Sequence, residues 1–131
     1  MITTHKHLIV KAYVNSSFDS IEAVKAWLKN IIKAVNMDLA EVPGNPMAYY
    51  CTDKGNTGYT GVAILETSHT TIHTWDEFSP HSVMFDLYSC SDFTPEQVFT
   101  FLEDLGVTKA DYYFIDRGEM PRVIFLETYN A

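Results

Sequence analysis

The stretch TGVAILETSHTTIHTWDEFSPHSVMFDLYS, residues 60–89, decides the fold. Its apolar, β-branched and aromatic runs are broken by polar punctuation, which predicts three strands at Thr60 to Glu66, His69 to Trp75 and Val83 to Ser89. In the third, alternation puts Val83, Phe85 and Leu87 on one face.

On the N-terminal side, a strand is predicted over residues 6–14, interrupted by the charge of Lys11. Asn15 to Ser20 forms a turn with several caps, and Asp19 with Glu22 has capping-box spacing. Ile21, Val24, Leu28, Ile31, Ile32 and Val35 then recur every three or four residues beside Trp27, the pattern of a helix with one buried stripe. Met37 to Val42 and Met47 to Cys51 are short strand candidates separated by the turn Pro43-Gly44-Asn45-Pro46. Asp53 to Gly58 is a loop by composition, long enough to be mobile.

On the C-terminal side, Thr94-Pro95-Glu96-Gln97 opens a helix with a capping Thr and a Pro whose missing donor does no harm. Val98, Phe101, Leu102 and Leu105 give it an apolar stripe, and Gly106 ends it. Strands are predicted near 110–115 and 121–127, joined by the hairpin turn Asp116-Arg117-Gly118. Two helices cannot cover both faces of such a sheet. The expected class is therefore α+β, a two-layer sandwich with a largely antiparallel sheet and both helices on one face. The other face calls for a cover, and a second copy of the chain is the simplest one.

The 131 residues fit a single domain over 1–131, and 8 Phe, 8 Tyr and 2 Trp argue for packed layers rather than disorder. No run approaches the roughly 18 apolar residues that cross a bilayer, and no basic start precedes an apolar block, so a cytoplasmic protein without membrane contact is expected. With 17 acidic against 9 basic residues and a net charge of −8, the chain offers no basic patch, and nucleic acid is not an expected partner. An acidic chain favours encounter with a small cationic molecule. Cys51 and Cys90 form no Cys-x-x-Cys pair and no disulfide framework.

Groups that transfer protons concentrate in Glu66-Thr67-Ser68-His69-Thr70-Thr71-Ile72-His73-Thr74-Trp75-Asp76-Glu77. In a strand, His69, Thr71 and His73 share one face while Ser68, Thr70 and Ile72 share the other, so cooperation of Ser68 with His73 requires a bend or bulge near the serine.

This window, followed by Asp86-Leu87-Tyr88-Ser89-Cys90, resembles the core of the short prokaryotic class of S-adenosylmethionine decarboxylase proenzymes. His7-Leu8-Ile9 before a strand and the loop ending Gly58-Tyr59-Thr60-Gly61 are similar to that family too, so the resemblance runs from residue 5 to residue 115. It implies a proenzyme that cuts its own backbone between Thr67 and Ser68 and turns Ser68 into a pyruvoyl group. It also implies that His73 is the processing histidine and Cys90 the acid of catalysis, in a homodimer or a dimer of dimers that serves polyamine synthesis.

The residue types suit those roles. A serine hydroxyl in a strained peptide can attack the preceding carbonyl and exchange amide for ester. An imidazole near neutrality can take a Cα proton. A pyruvoyl group accepts the electrons left by departing carbon dioxide, and Cys90 can return the proton. For a cationic amino-acid-type substrate, carboxylates or aromatic faces are needed, and Glu77, Asp76, Tyr49, Tyr50 and Tyr88 are candidate suppliers.

Three departures from the family pattern bear on substrate and processing. Thr67 stands where the family has glutamate, and a β-branched residue there bears on the rate of the acyl shift. The segment from Glu77 to Asp86 is longer than usual, with Phe78-Ser79-Pro80-His81 in the excess. Lys11, where the family tends to acidic or neutral residues, repels a sulfonium if it points into the site and can meet a carboxylate instead. Two alternatives follow, namely an ornithine or arginine decarboxylase of the same family, or an uncleaved, non-catalytic member with a binding role. A metal site from His69, His73 and His81 is not expected, because strands do not converge imidazoles at that spacing. A Ser68, His73, Asp86 hydrolase lacks the Gly-x-Ser-x-Gly elbow.

Overall fold

The computed structural model describes residues 4–131. Its strands are β1 (Lys6–Val14), β2 (Met47–Cys51), β3 (Gly58–Leu65), β4 (Ser68–Trp75), β5 (His81–Ser89), β6 (Val107–Asp116) and β7 (Arg122–Asn130), with helices α1 (Ile21–Ala34) and α2 (Pro95–Glu103). Among the described residues the strands form one sheet in the order β2-β3-β4-β5-β1-β6-β7. Every neighbouring pair is antiparallel. Both helices pack on one face, as the α+β two-layer reading expected.

β1 is central because its sequence alternates cleanly. Leu8, Val10, Ala12 and Val14 are buried under the helices, while Ile9 and Lys11 point to the other face. Helix α1 begins at Ser20, whose Oγ accepts from the Ala23 N–H at 3.0 Å; the cap is Ser20 rather than Asp19. The helix buries Val24, Trp27, Leu28, Ile31 and Ile32, each worth about 1.5–3 kcal/mol when fully removed from water. Trp27 Nε1–H donates to the Phe101 carbonyl at 3.1 Å and ties α1 to α2. Helix α2 opens as expected, with Pro95 in its first turn and the Thr94 N–H donating to Gln97 Oε1 at 2.8 Å. Gly106, at φ +69, turns the chain into β6.

Three local expectations change. Met37 to Val42 is no strand: Leu39 makes a single bridge to Leu65, and Asn45 takes over the pairing, its amide meeting the Ala40 and Ile64 carbonyls at 2.8 Å and the Ile64 N–H at 3.0 Å. The loop from Asp53 to Gly58 is tied down by Glu77, which accepts from the Gly55 N–H at 2.7 Å and Thr57 Oγ1 at 2.6 Å. The third change positions the site: β3 ends at Leu65, β4 begins at Ser68, and Leu65 pairs with Ser68, so Glu66 and Thr67 alone make the turn.

Candidate active site

Ser68 is the first residue of β4 and is buried on the helix-covered side. Its Oγ accepts a hydrogen bond from the Cys90 N–H at 3.1 Å and lies 3.8 Å from Cys90 Sγ. Cys90 follows β5 directly, and the β4–β5 pairing of His69 with Tyr88 brings the two strand ends together. Thr67 Oγ1 is 2.7 Å from the same sulfur and donates to the Glu66 carbonyl at 2.6 Å. Thr67, Ser68 and the sequence-distant Cys90 thus form one cluster at the tip of a hairpin. The turn is strained: Thr67 has φ +60, a left-handed conformation that a β-branched side chain strongly disfavours.

His73 is not part of this cluster. No register shift interrupts β4, so Ser68 and His73 stay on opposite faces, about 16 Å apart along the strand at the usual rise per residue. On the open face, His73 Nδ1 is 2.9 Å from Thr60 Oγ1 and its ring packs near Trp75. His69 is also on the open face, and His81 begins β5, with its Nδ1 buried and without a hydrogen-bond partner.

The remaining candidates for substrate contact are spread widely. Tyr49 pairs with Thr60 and faces the open side, whereas Tyr50 pairs with Tyr59 and packs against its ring at 4.6 Å on the helix side. Glu77 is committed to the 53–58 loop; hydrogen bonds from Thr57 and Gly55 hold its carboxyl below the usual carboxylate range. Asp76 donates its N–H to the Thr57 carbonyl at 2.8 Å, beside the same loop. Lys11 stands on the open face with its ammonium 5.4 Å from the Tyr13 ring.

Tyr88 leads to a second cluster that the sequence did not single out as a site. Its hydroxyl is 2.7 Å from His5 Nδ1, and the Arg117 guanidinium lies over its ring at 4.8 Å, so this aromatic face already carries a cation. Arg117 Nη1 is 3.3 Å from His7 Nδ1. Since guanidinium only donates, Nδ1 accepts, and His7 Nε2–H donates to Asp86 Oδ2 at 2.9 Å. Asp86 also accepts from the Thr71 hydroxyl and stands 3.7 Å from His69 Nε2. Burial pushes the Asp86 carboxyl up, but hydrogen bonds from His7 and Thr71 and the neighbouring imidazoles outweigh it and hold it below the ordinary value.

Ligand atoms of His7, His69 and Asp86 lie within 4.8 Å of one another. In the structure His7 Nε2 meets Asp86 Oδ2 at 2.9 Å and His69 Nε2 lies 3.7 Å from the same oxygen, so the trio forms one polar cluster around the carboxylate. Alternation along β5 already puts Asp86 and Tyr88 on one face, a signal available in the sequence; Arg117, in a turn, gave none.

Comparison with known proteins bears on this arrangement. A family model described as S-adenosylmethionine decarboxylase matches residues 6–118. The chain is 36% identical over 115 residues to an S-adenosylmethionine decarboxylase proenzyme of Archaeoglobus fulgidus, covering 86% of this chain and 96% of the relative. It is 31% identical over 100 residues to the proenzyme of that name from Thermomicrobium roseum, covering 76% and 79%. An arginine decarboxylase proenzyme of Hyperthermus butylicus is 27% identical over 122 residues, covering 87% and 82%.

Proposed function

Because the chain belongs to the S-adenosylmethionine decarboxylase family, we propose that it is a self-cleaving proenzyme that decarboxylates S-adenosylmethionine with a pyruvoyl group made from Ser68. The observation that carries this reading is the hairpin tip, where a strained peptide, a buried serine hydroxyl and a thiol meet at Thr67, Ser68 and Cys90.

The Ser68 hydroxyl attacks the Thr67 carbonyl carbon, the C–N bond of that peptide gives way to an ester, and the hydroxyl proton passes to the released nitrogen. A base then removes the Cα proton of residue 68, and residues 1–67 depart as a carboxylate. Ammonia is exchanged for water, leaving a keto group at the head of residues 68–131. These residues fit that group: the Cys90 thiol, 3.8 Å from the serine oxygen, stands beside the position where the keto group forms. When formed, the pyruvoyl group supplies the sink for the electron pair left by carbon dioxide. Cys90 then holds the proton to be returned to the substrate carbon.

In this reading His73 serves Ser68 of a second copy, since within one chain the two lie about 16 Å apart along an unbroken strand. The open face supports such pairing. It exposes Ile9, Val62, Ile64, Met84, Tyr113 and Leu126 to 36–64% of their surface, a broad apolar area fit for an interface. A homodimer joined through this face puts His73 and Thr60 at the seam between the two chains.

The test is release of carbon dioxide from S-adenosylmethionine, arginine and ornithine, assayed side by side. S-adenosylmethionine is the expected substrate. Turnover of arginine alone would move the chain toward the activity named for the Hyperthermus relative and give the exposed Lys11 a part in the choice.

A further inference from the structure

Among the described residues two non-glycine residues have positive φ, Asn36 at +58 and Thr67 at +60. Asparagine tolerates that conformation, whereas a β-branched residue persists there only when its surroundings impose it. Thr67 is held from several sides. The preceding Glu66 N–H donates to the Asp38 carbonyl at 3.1 Å, the Leu65–Ser68 pair closes the turn, and the Cys90 N–H fixes the Ser68 side chain at 3.1 Å. The Thr67 hydroxyl itself is anchored at the Cys90 sulfur, 2.7 Å away.

From this we infer that Thr67 is a positioning residue for chain cleavage: its branched side chain, clamped in the left-handed conformation, strains the intact Thr67–Ser68 amide and so favours its conversion to the ester. The inference rests on the reading that this peptide is the one cleaved. In the step concerned, the bond from the Thr67 carbonyl carbon to the Ser68 nitrogen breaks, a bond to Ser68 Oγ forms, and the hydroxyl proton moves to the nitrogen. The two-residue turn is thereby lengthened by the serine side chain, and Thr67 is free to leave the left-handed region. The thiol of Cys90 loses its threonine contact in the same event, and so becomes available to substrate only after cleavage.

Three variants separate branch from hydroxyl. Thr67→Gly accepts positive φ without strain and slows cleavage roughly tenfold, the effect expected when strain of this kind is withdrawn. Thr67→Val keeps the branch without the hydroxyl and cleaves close to the parent rate. Thr67→Ser keeps the hydroxyl without the branch and falls between parent and glycine. Cleavage is followed by intact mass after rapid purification, and thermal melting of each variant combined with Ser68→Ala shows that the uncleaved fold is retained. A glycine variant that cleaves as fast as the parent, or a valine variant as slow as the glycine one, overturns the inference. If the parent itself never cleaves, the proposed function fails instead.

Discussion

Cys90 shares its thiol between Thr67 and Ser68, so it touches the chain before and after the cut in different ways. The serine hydroxyl, not the thiol, makes the ester, and Cys90→Ala is expected to leave cleavage in place. Turnover is expected to fall by roughly 10²–10⁴, the usual loss when a positioned acid is removed. Single-turnover assays on the matured protein check this, and full activity in the variant would remove Cys90 from the reaction. Asp86 gives a second residue-level expectation. Its folded pKa is depressed, so its stabilisation is present above the ordinary value of 3.8 and is lost as pH falls through the lower folded value. Urea denaturation should show Asp86→Asn less stable than the parent by on the order of 1 kcal/mol at neutral pH, with the gap closing in acid. A gap that persists unchanged below that range would mean the carboxylate is not the source. Ser68 and Cys90 were named from a family pattern, and the structure brings the two together at one hairpin tip, but the Arg117–His7–Asp86 network depends on strand register and a turn side chain, and no local pattern encodes either.

At the scale of elements, alternation and helical periodicity located the long strands and both helices, since burial on one face leaves a period in the chain. The short connections were less legible. Leu39 and Asn45 join the edge of the sheet through one bridge and one amide side chain, and Glu66-Thr67 makes a turn without the Gly or Asn that usually announces one. Ser68 consequently begins a strand instead of sitting in a loop before it. Gly61 shows how closely the layers meet: a Cβ there would lie 2.6 Å from Val24 Cγ1 and 3.0 Å from Leu28 Cδ1 of α1. Gly61→Ala is therefore expected to push α1 off the sheet and lower stability by about 1–3 kcal/mol in denaturant titration. An unchanged midpoint would show that α1 yields without cost.

For the whole molecule, covering one sheet face with two helices leaves the other face open, and that was legible from the count of elements alone. Which residues the open face carries required the register. His73, Thr60 and Lys11 stand there among apolar neighbours, on the side away from the Ser68 side chain. The proposed assembly through this face is tested by a mixing experiment. Chains carrying His73→Ala, unable to process alone, should be cleaved when co-expressed with Ser68→Ala chains that still supply the histidine. Persistence of both chains uncut would show that His73 does not act across the interface.

The claim on which the rest depends is that Ser68 ceases to be a serine inside a continuous backbone. Intact mass of the purified, fully incubated protein under denaturing conditions tests it directly. The account predicts two chains, residues 1–67 and residues 68–131, the second lighter by one ammonia than a chain beginning with serine and blocked to amine-specific sequencing. A single species at the 14.9 kDa of the uncut chain contradicts it.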